Sequence, residues 1–374
     1  MRGNPGLLYT YEQIRRVHVE LTTYCNASCP QCPRNIDGGA VNPNLQLTEL
    51  SLEDFKKVFP PAFLWRLEVI NFCGNYGDPS MARDLIPVCE YIRAEAPGVR
   101  LTMHSNGSAR TPEWWAKLAG LLDKCVFSVD GLEDTNAIYR RNTTWTSIMA
   151  NATAYLGAGG TAGWDFLVFE HNQHQVKDAE KLAKAMGFEN FNAKTSGRFL
   201  RDNVLVEGIS VRDHKGELVQ MLKPPTKRRL QNPTGKVIAG KFPTAESFTD
   251  YLTTTPVTCN AQKYAEIFVS AEGLVLPCCW MAQLTPVHEM SERKQQIHAL
   301  MAALPEGSDS INALKTPLRD VLATRLFQQD VPAGWEPGEK RLKVCAKFCG
   351  KHGVSSEQEI QLKWSPRQLL AALR

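Results

Sequence analysis

Between residues 15 and 200, short apolar runs alternate with amphipathic stretches, and no other feature restricts the fold as much. The first run, Val17-His18-Val19-Glu20-Leu21-Thr22, alternates apolar and polar residues with period two, as a strand does. Further strands are expected over 67–73, 99–104, 124–129, 164–169 and 190–195. The stretches between them carry helix signals. Ser51 with Asp54 resembles a capping box, and Leu85, Val88, Cys89 and Ile92 form an apolar stripe. Thr111-Pro112-Glu113 reads as a cap, a helix-starting proline and a first-turn acid. Val176, Ala179, Leu182, Ala183 and Met186 stripe another helix, which Gly187 ends.

Six strand–helix units in succession predict an α/β fold, a partial TIM-like (β/α)6 barrel of parallel strands. In such a sheet ligands sit at the C-terminal strand ends. Residues 1–200 are assigned to this barrel. Prolines at 224, 225, 233, 243 and 256 and the run Lys227-Arg228-Arg229 mark 201–258 as a bridging region with little regular structure. Residues 259–352 form a small second domain, with a hairpin over 267–276 turning at Glu272-Gly273 and helical patterns near 291–303 and 312–329. Residues 353–374 make a tail, read as helical.

The N-terminal residues lack a signal-peptide apolar run, and no stretch approaches the length needed to span a bilayer. The expectation is a cytoplasmic protein with no membrane partner. A net charge of +4 is too small to argue for nucleic acid. The basic segment over 223–246 keeps that reading open, although such runs are usually solvated loops. Eleven cysteines are many for a reducing compartment, where clustered thiols point to metal or redox chemistry.

Cys25-Asn-Ala-Ser-Cys29-Pro-Gln-Cys32 follows the first strand directly, at the ligand-binding end of the sheet. Zinc sites usually show paired C-x2-C units or Cys/His pairs with four protein ligands. Three close cysteines on one loop match three irons of a [4Fe–4S] cube and leave the fourth open. This C-x3-C-x2-C array, in its place after strand one, resembles the signature of the radical S-adenosylmethionine (SAM) superfamily. The resemblance implies reductive SAM cleavage to a 5′-deoxyadenosyl radical, fed by an external one-electron reductant such as flavodoxin or ferredoxin. Gln31 departs from the pattern, since a bulky apolar residue commonly precedes the last cysteine.

The resemblance extends to later strand ends. Cys73-Gly74-Asn75-Tyr76-Gly77-Asp78-Pro79 is similar to the family's Gly-Gly-Glu-Pro segment, which implies SAM-amino binding by Gly74, Asn75, Gly77 and Asp78. By the same likeness Ser105, Asn106, Ser128 and Asp130 belong to the SAM pocket, with Arg140 and Arg198 as candidate ligand contacts and Lys194 beside them. Each of these cations could equally be a solvated or ion-paired surface group. Cys73 is either a radical quencher or hydrogen donor, or a core cysteine, and Cys89 and Cys125 read as core.

Cys259, thirteen residues, Gly273, four residues and Cys278, then Cys345-Ala-Lys-Phe-Cys349, resemble the SPASM and twitch extensions of radical SAM proteins. The likeness implies a second, auxiliary [4Fe–4S] cluster on Cys259, Cys278, Cys345 and Cys349. A full SPASM domain, with two auxiliary clusters, needs more cysteines than the five after residue 258, so a twitch-like domain fits better. Cys279 is spare. A zinc ribbon on the same cysteines is the rival. The expected substrate is a small polar or nucleoside-linked molecule, since few residues precede strand one for a leader-binding domain; a peptide substrate is the alternative. A non-enzymatic iron–sulfur carrier or scaffold is the competing class, one that would need no SAM pocket.

Overall fold

The computed structural model describes residues 8–201, 204–232, 237, 240–286, 291–338, 340–351 and 357–359. Six strands carry the barrel: β1 (Arg16–Val19), β2 (Val69–Phe72), β3 (Arg100–Ser105), β4 (Lys124–Ser128), β5 (Ala162–Val168) and β6 (Asn190–Ser196). Each pairs with the next in parallel, as a succession of βα units requires. The helix signals hold at their particulars. Ser51 Oγ accepts from Asp54 N at 3.1 Å while Ser51 N donates back to Asp54 Oδ2 at 3.1 Å. The helix Val176–Met186 stops at Gly187, whose φ of 90° is left-handed.

Two pairs of short strands follow, β7 (Leu200–Arg201) with β8 (Val204–Leu205), and β9 (Ile209–Arg212) with β10 (Leu218–Leu222). The region 201–258 is therefore more regular than expected, and it also holds a helix, Ala245–Thr254. The reason is tertiary. Ile209, Val211 and Leu222 bury themselves against Ala27, Cys29, Tyr139 and Phe169, a partner that no local reading supplies. The hairpin at 267–276 does form, as β11 (Glu266–Val269) and β12 (Val275–Leu276), with Gly273 at φ +84° in its turn. It is not separate from the barrel: β11 pairs in parallel with β1. With β13 (Glu357–Glu359) antiparallel to β6, the sheet has nine strands in the order β12-β11-β1-β2-β3-β4-β5-β6-β13.

The helical pattern near 291–303 is realised as Glu292–Ala302. That over 312–329 begins only at Leu318, because Pro317 disfavours helical backbone before it, and breaks after Ala323 into a π turn, Leu326–Asp330. In the tail from 353, Glu357–Glu359 are a strand rather than helix, and the remainder lies outside the described residues. No helix among the described residues is long and apolar enough to cross a membrane.

One face of each strand packs under the helices. Val17, Val19, Ile70, Phe72, Leu101, Met103, Phe127, Trp164, Phe166 and Phe191 share a single core with Ile267, Phe268 and Leu322 of the C-terminal part. The opposite face is polar. His18, His104, Ser128, Asp165 and Lys194 line an open chamber, where many parallel barrels pack branched apolar side chains. Trp164 anchors the apolar side, fully buried and donating Nε1–H to Val129 O at 2.8 Å. Trp164→Ala is expected to cost roughly 3–5 kcal/mol of unfolding free energy, by lost burial and the cavity left behind. Urea denaturation followed by circular dichroism measures it, and a cost below about 1 kcal/mol would contradict this packing.

Candidate active site

Cys25, Cys29 and Cys32 sit on the loop leaving β1, where Cys32 N donates to Cys29 O at 3.0 Å and Ala27 N to Cys25 Sγ at 3.4 Å. All three thiols line one cavity of 360 Å3 at the C-terminal strand ends. Gly74, Asn75, Gly77 and Asp78 reach it from the loop after β2, and Ser105 and Asn106 from the end of β3. Ser128, Asp130, Arg140 and Arg198 complete the wall with Cys73 and Lys194. The residues assigned above to the SAM pocket are thus brought to the same chamber.

The loop after β2 is held by close backbone approach. A Cβ on Gly77 would stand 1.7 Å from Thr22 O, so only glycine fits there. Glu20, buried at the end of β1, accepts from Tyr76 N at 2.6 Å and Gly77 N at 3.0 Å. Burial pushes its carboxyl up to about 7, against the pull of those N–H groups. Asp78, a candidate SAM contact, lines the chamber with its carboxylate also engaged by the protein: Oδ1 accepts from Ser80 N, Ser80 Oγ and Ser105 Oγ, at 3.0, 2.7 and 2.7 Å, and Oδ2 from Asn106 N at 2.7 Å. It ties the β2 loop to the end of β3.

The guanidiniums are also placed by protein partners. Arg140 Nε donates to Asp130 Oδ2 at 2.6 Å, and Nη1 approaches Cys29 Sγ at 3.7 Å. Burial opposes its charge, but Asp130 and Cys29 raise its pKa, so a fixed cation stands beside the thiols. Burial pushes Cys29 up to about 11 despite Arg140, so metal loading there releases a proton. Arg198 donates to Gln31 O, and Gln31 Oε1 accepts from Ser196 Oγ at 2.7 Å. Gln31 Nε2 is a buried donor with no protein partner, next in sequence to Cys32. Such an orphan is costly and fits a site that takes a ligand with an acceptor.

His18, His104 and Asp165 of this chamber were not singled out from sequence, whereas Lys194 was. His18 Nε2 lies 2.5 Å from Cys73 O, and burial pushes the imidazole down to about 4, which keeps it neutral. Lys194 Nζ pairs with Asp165 Oδ2 at 2.5 Å across β5 and β6. The signal existed: the polar residues alternating along β1 had to face either solvent or a chamber.

A second, smaller cavity of 90 Å3 is lined by Cys259, Cys278, Cys345 and Cys349. Thr258 N donates to Cys349 O at 2.9 Å, which holds the first and last cysteine segments together. Arg341, 2% exposed, donates Nε to Leu252 O at 3.0 Å and binds Thr255 O and Trp335 O as well. Burial pushes Cys278 up to about 12 and Cys259 up to about 11. Cys279 and Trp280 line both cavities and form the partition between them; Trp280 stacks on Phe348 at 4.0 Å and 9°. Among the described residues no three His, Cys, Asp or Glu are arranged to hold a single metal ion.

Glu20 yields a pH test. Its carboxyl is raised from 4.5 to about 7 on folding, so its contribution is fully present below 4.5 and is lost as pH rises through 7. Glu20→Gln keeps the acceptor without the titration. The unfolding free energy of wild type minus variant should fall by roughly 3 kcal/mol over that window, at about 1.4 kcal/mol per pKa unit. A difference constant between pH 4 and pH 8, about as wide as that window, would contradict the burial.

Residues 19–189 match the sequence model of the Radical SAM superfamily. No curated protein matches the chain. Among solved structures, Streptococcus suis SuiB bound to S-adenosylmethionine aligns over 90% of this chain and 73% of its own, with a TM-score of 0.52 and 14% identity. The structure of anSMEcpe with bound AdoMet aligns over 90% of this chain and 86% of its own, with a TM-score of 0.53 and 12% identity. At such identities the likeness is one of fold. Over residues 19–189 the chain is similar to the radical SAM superfamily, in agreement with the chamber at the strand ends, and the protein is an enzyme.

Proposed function

We propose that Cys25, Cys29 and Cys32 ligate a [4Fe–4S] cluster whose open iron takes SAM, and that the enzyme abstracts hydrogen from a polar substrate held in the barrel lumen. The observation that carries this is the shared chamber: the three thiols and the strand-end residues of β2, β3 and β4 line one cavity. Bound there, the cluster and SAM supply a 5′-deoxyadenosyl radical able to attack an unactivated C–H bond. The protein's part is placement. Gly74, Asn75 and Gly77 let backbone approach the amino acid end of SAM, Ser105, Asn106 and Ser128 offer hydrogen bonds, and the Asp130–Arg140 pair fixes a cation near its carboxylate. Arg198 with Gln31 borders the far side.

Cys259, Cys278, Cys345 and Cys349 hold an auxiliary [4Fe–4S] cluster in this reading, assisting oxidation or rearrangement. Four thiolates round one zinc, each about 2.3 Å from it, stand about 4 Å apart. The four thiols line one cavity of 90 Å3, which supports a shared centre there. Cys279 is left beside it as a non-ligand. An external low-potential flavin or iron–sulfur protein supplies the electrons, as flavodoxin or ferredoxin would.

The lumen favours a small polar or nucleoside-linked substrate, since His18, His104, Asp165 and Lys194 all face it. A peptide side chain is the second reading. SuiB is known bound to its precursor peptide SuiA, with a TM-score of 0.52 to this chain, and anSMEcpe with AdoMet and a Cp18Cys peptide, with 0.50.

Anaerobic iron analysis and EPR test the two-cluster reading. About eight irons per chain are expected in wild type and about four in the Cys25/Cys29/Cys32→Ala triple variant. SAM should perturb only the signal that the triple variant lacks. About four irons with zinc on the C-terminal cysteines would remove the auxiliary cluster, and an EPR spectrum indifferent to SAM would remove the radical chemistry.

A further inference from the structure

Four cysteines lie outside the two candidate cluster sets, Cys73, Cys89, Cys125 and Cys279, and core positions are expected among the first three. Cys89 and Cys125 are fully buried beneath the helices. Cys73 is not among them. Phe72 takes the apolar face of β2, so the next residue turns inward, and Cys73 lines the chamber with Cys25, Cys29 and Cys32. Cys279, which a four-thiol site does not need, lines that chamber too and also the smaller cavity beyond it.

Three hydrogen bonds clamp the Cys73 loop to the Cys279 segment. Asn75 Nδ2 donates to Cys279 O at 3.0 Å, Gln283 Nε2 to Asn75 Oδ1 at 3.2 Å, and Tyr76 OH to Ala282 O at 3.4 Å. One thiol thus stands on each side of a fixed seam that opens on the chamber.

We propose that Cys73 is a catalytic residue that returns a hydrogen atom to the substrate radical, with Cys279 lying on the route by which Cys73 is restored. The proposal rests on the radical reading above and narrows it to reactions without net oxidation of the substrate, namely epimerisation or rearrangement. One hydrogen leaves the substrate with 5′-deoxyadenosine. The carbon radical then takes a hydrogen atom from the Cys73 thiol: a C–H bond forms, the S–H bond breaks homolytically, and a thiyl radical remains. A thiol S–H bond is weaker than an unactivated C–H bond, so the transfer runs downhill. The thiyl is reduced to the thiol by one electron from the external low-potential flavin or iron–sulfur protein and one proton from water. Among the described residues Cys279 and Trp280 are the two that line both cavities, and the proposed route for that electron runs along this shared wall.

The test uses the reconstituted holoenzyme with SAM and reductant in D2O, without substrate. The radical then meets the exchangeable Cys73 S–D. Wild type should give 5′-deoxyadenosine carrying one deuterium, and Cys73→Ser should lose it while keeping its iron content and its SAM-perturbed EPR signal. Cys279→Ser should keep the deuterium in the first turnover and lose it in later ones. Equal deuterium in wild type and Cys73→Ser overturns the donor role, and deuterium that persists through many turnovers of Cys279→Ser overturns the relay. Absence of 5′-deoxyadenosine from every protein instead overturns the radical reading beneath both. A second readout needs no turnover: SAM should slow iodoacetamide labelling of Cys73, followed by peptide mass spectrometry, and labelling indifferent to SAM would place this thiol outside the chamber.

Discussion

Buried carboxylates stitch the strand ends together, and the chamber exists because they do. Glu20 at the end of β1 grips the N–H groups of Tyr76 and Gly77 beyond β2. Asp78, on that same loop, grips Asn106 N and Ser105 Oγ at the end of β3. Asp130, beyond β4, accepts Leu167 N of β5 at 2.6 Å and holds Arg140. Each carboxylate satisfies orphan donors of a neighbouring loop, the condition for burying a charged or polar group at all. The result is a rim of fixed loops in which the cysteines are set by the first and the guanidiniums by the last.

This explains which parts were legible in the sequence. Period-two runs and helix caps are local signals, so all six barrel strands and the Ser51 and Gly187 helix boundaries follow from short windows. The cysteine array and the Gly74–Asp78 loop are legible because each is a distinctive run within a short window, and both reach the same chamber. What the sequence hid is tertiary. The β9–β10 hairpin exists because Ile209, Val211 and Leu222 find a buried partner under the cysteine loop. The pairing of β11 with β1 joins residues some 250 apart in the chain, and no window contains both. A lone acid in a glycine loop has two uses, and only coordinates show that Asp78 also holds Ser80, Ser105 and Asn106.

The partition of Cys279 and Trp280 gives the two cavities a common wall. Trp280 is held flat against Phe348, which lies between Cys345 and Cys349 in sequence, and Cys279 follows Cys278 directly. Hydrogen bonds of Asn75, Gln283 and Tyr76 also tie the loop after β2 to the segment Cys279–Gln283. The shared apolar core and the continuous sheet from β12 to β6 make the same point mechanically: the C-terminal part closes one side of the barrel as well as carrying cysteines of its own.

The central claim is that the loop after β1 presents an open iron to SAM inside this chamber. Electron–nuclear double resonance of the reduced protein, with SAM labelled with 15N at its amino group and 17O at its carboxylate, tests it most directly. Strong hyperfine coupling of both labels to the cluster is expected in wild type, and none in a variant lacking Cys25, Cys29 and Cys32. Strong iron signals with no coupling to either label would contradict it.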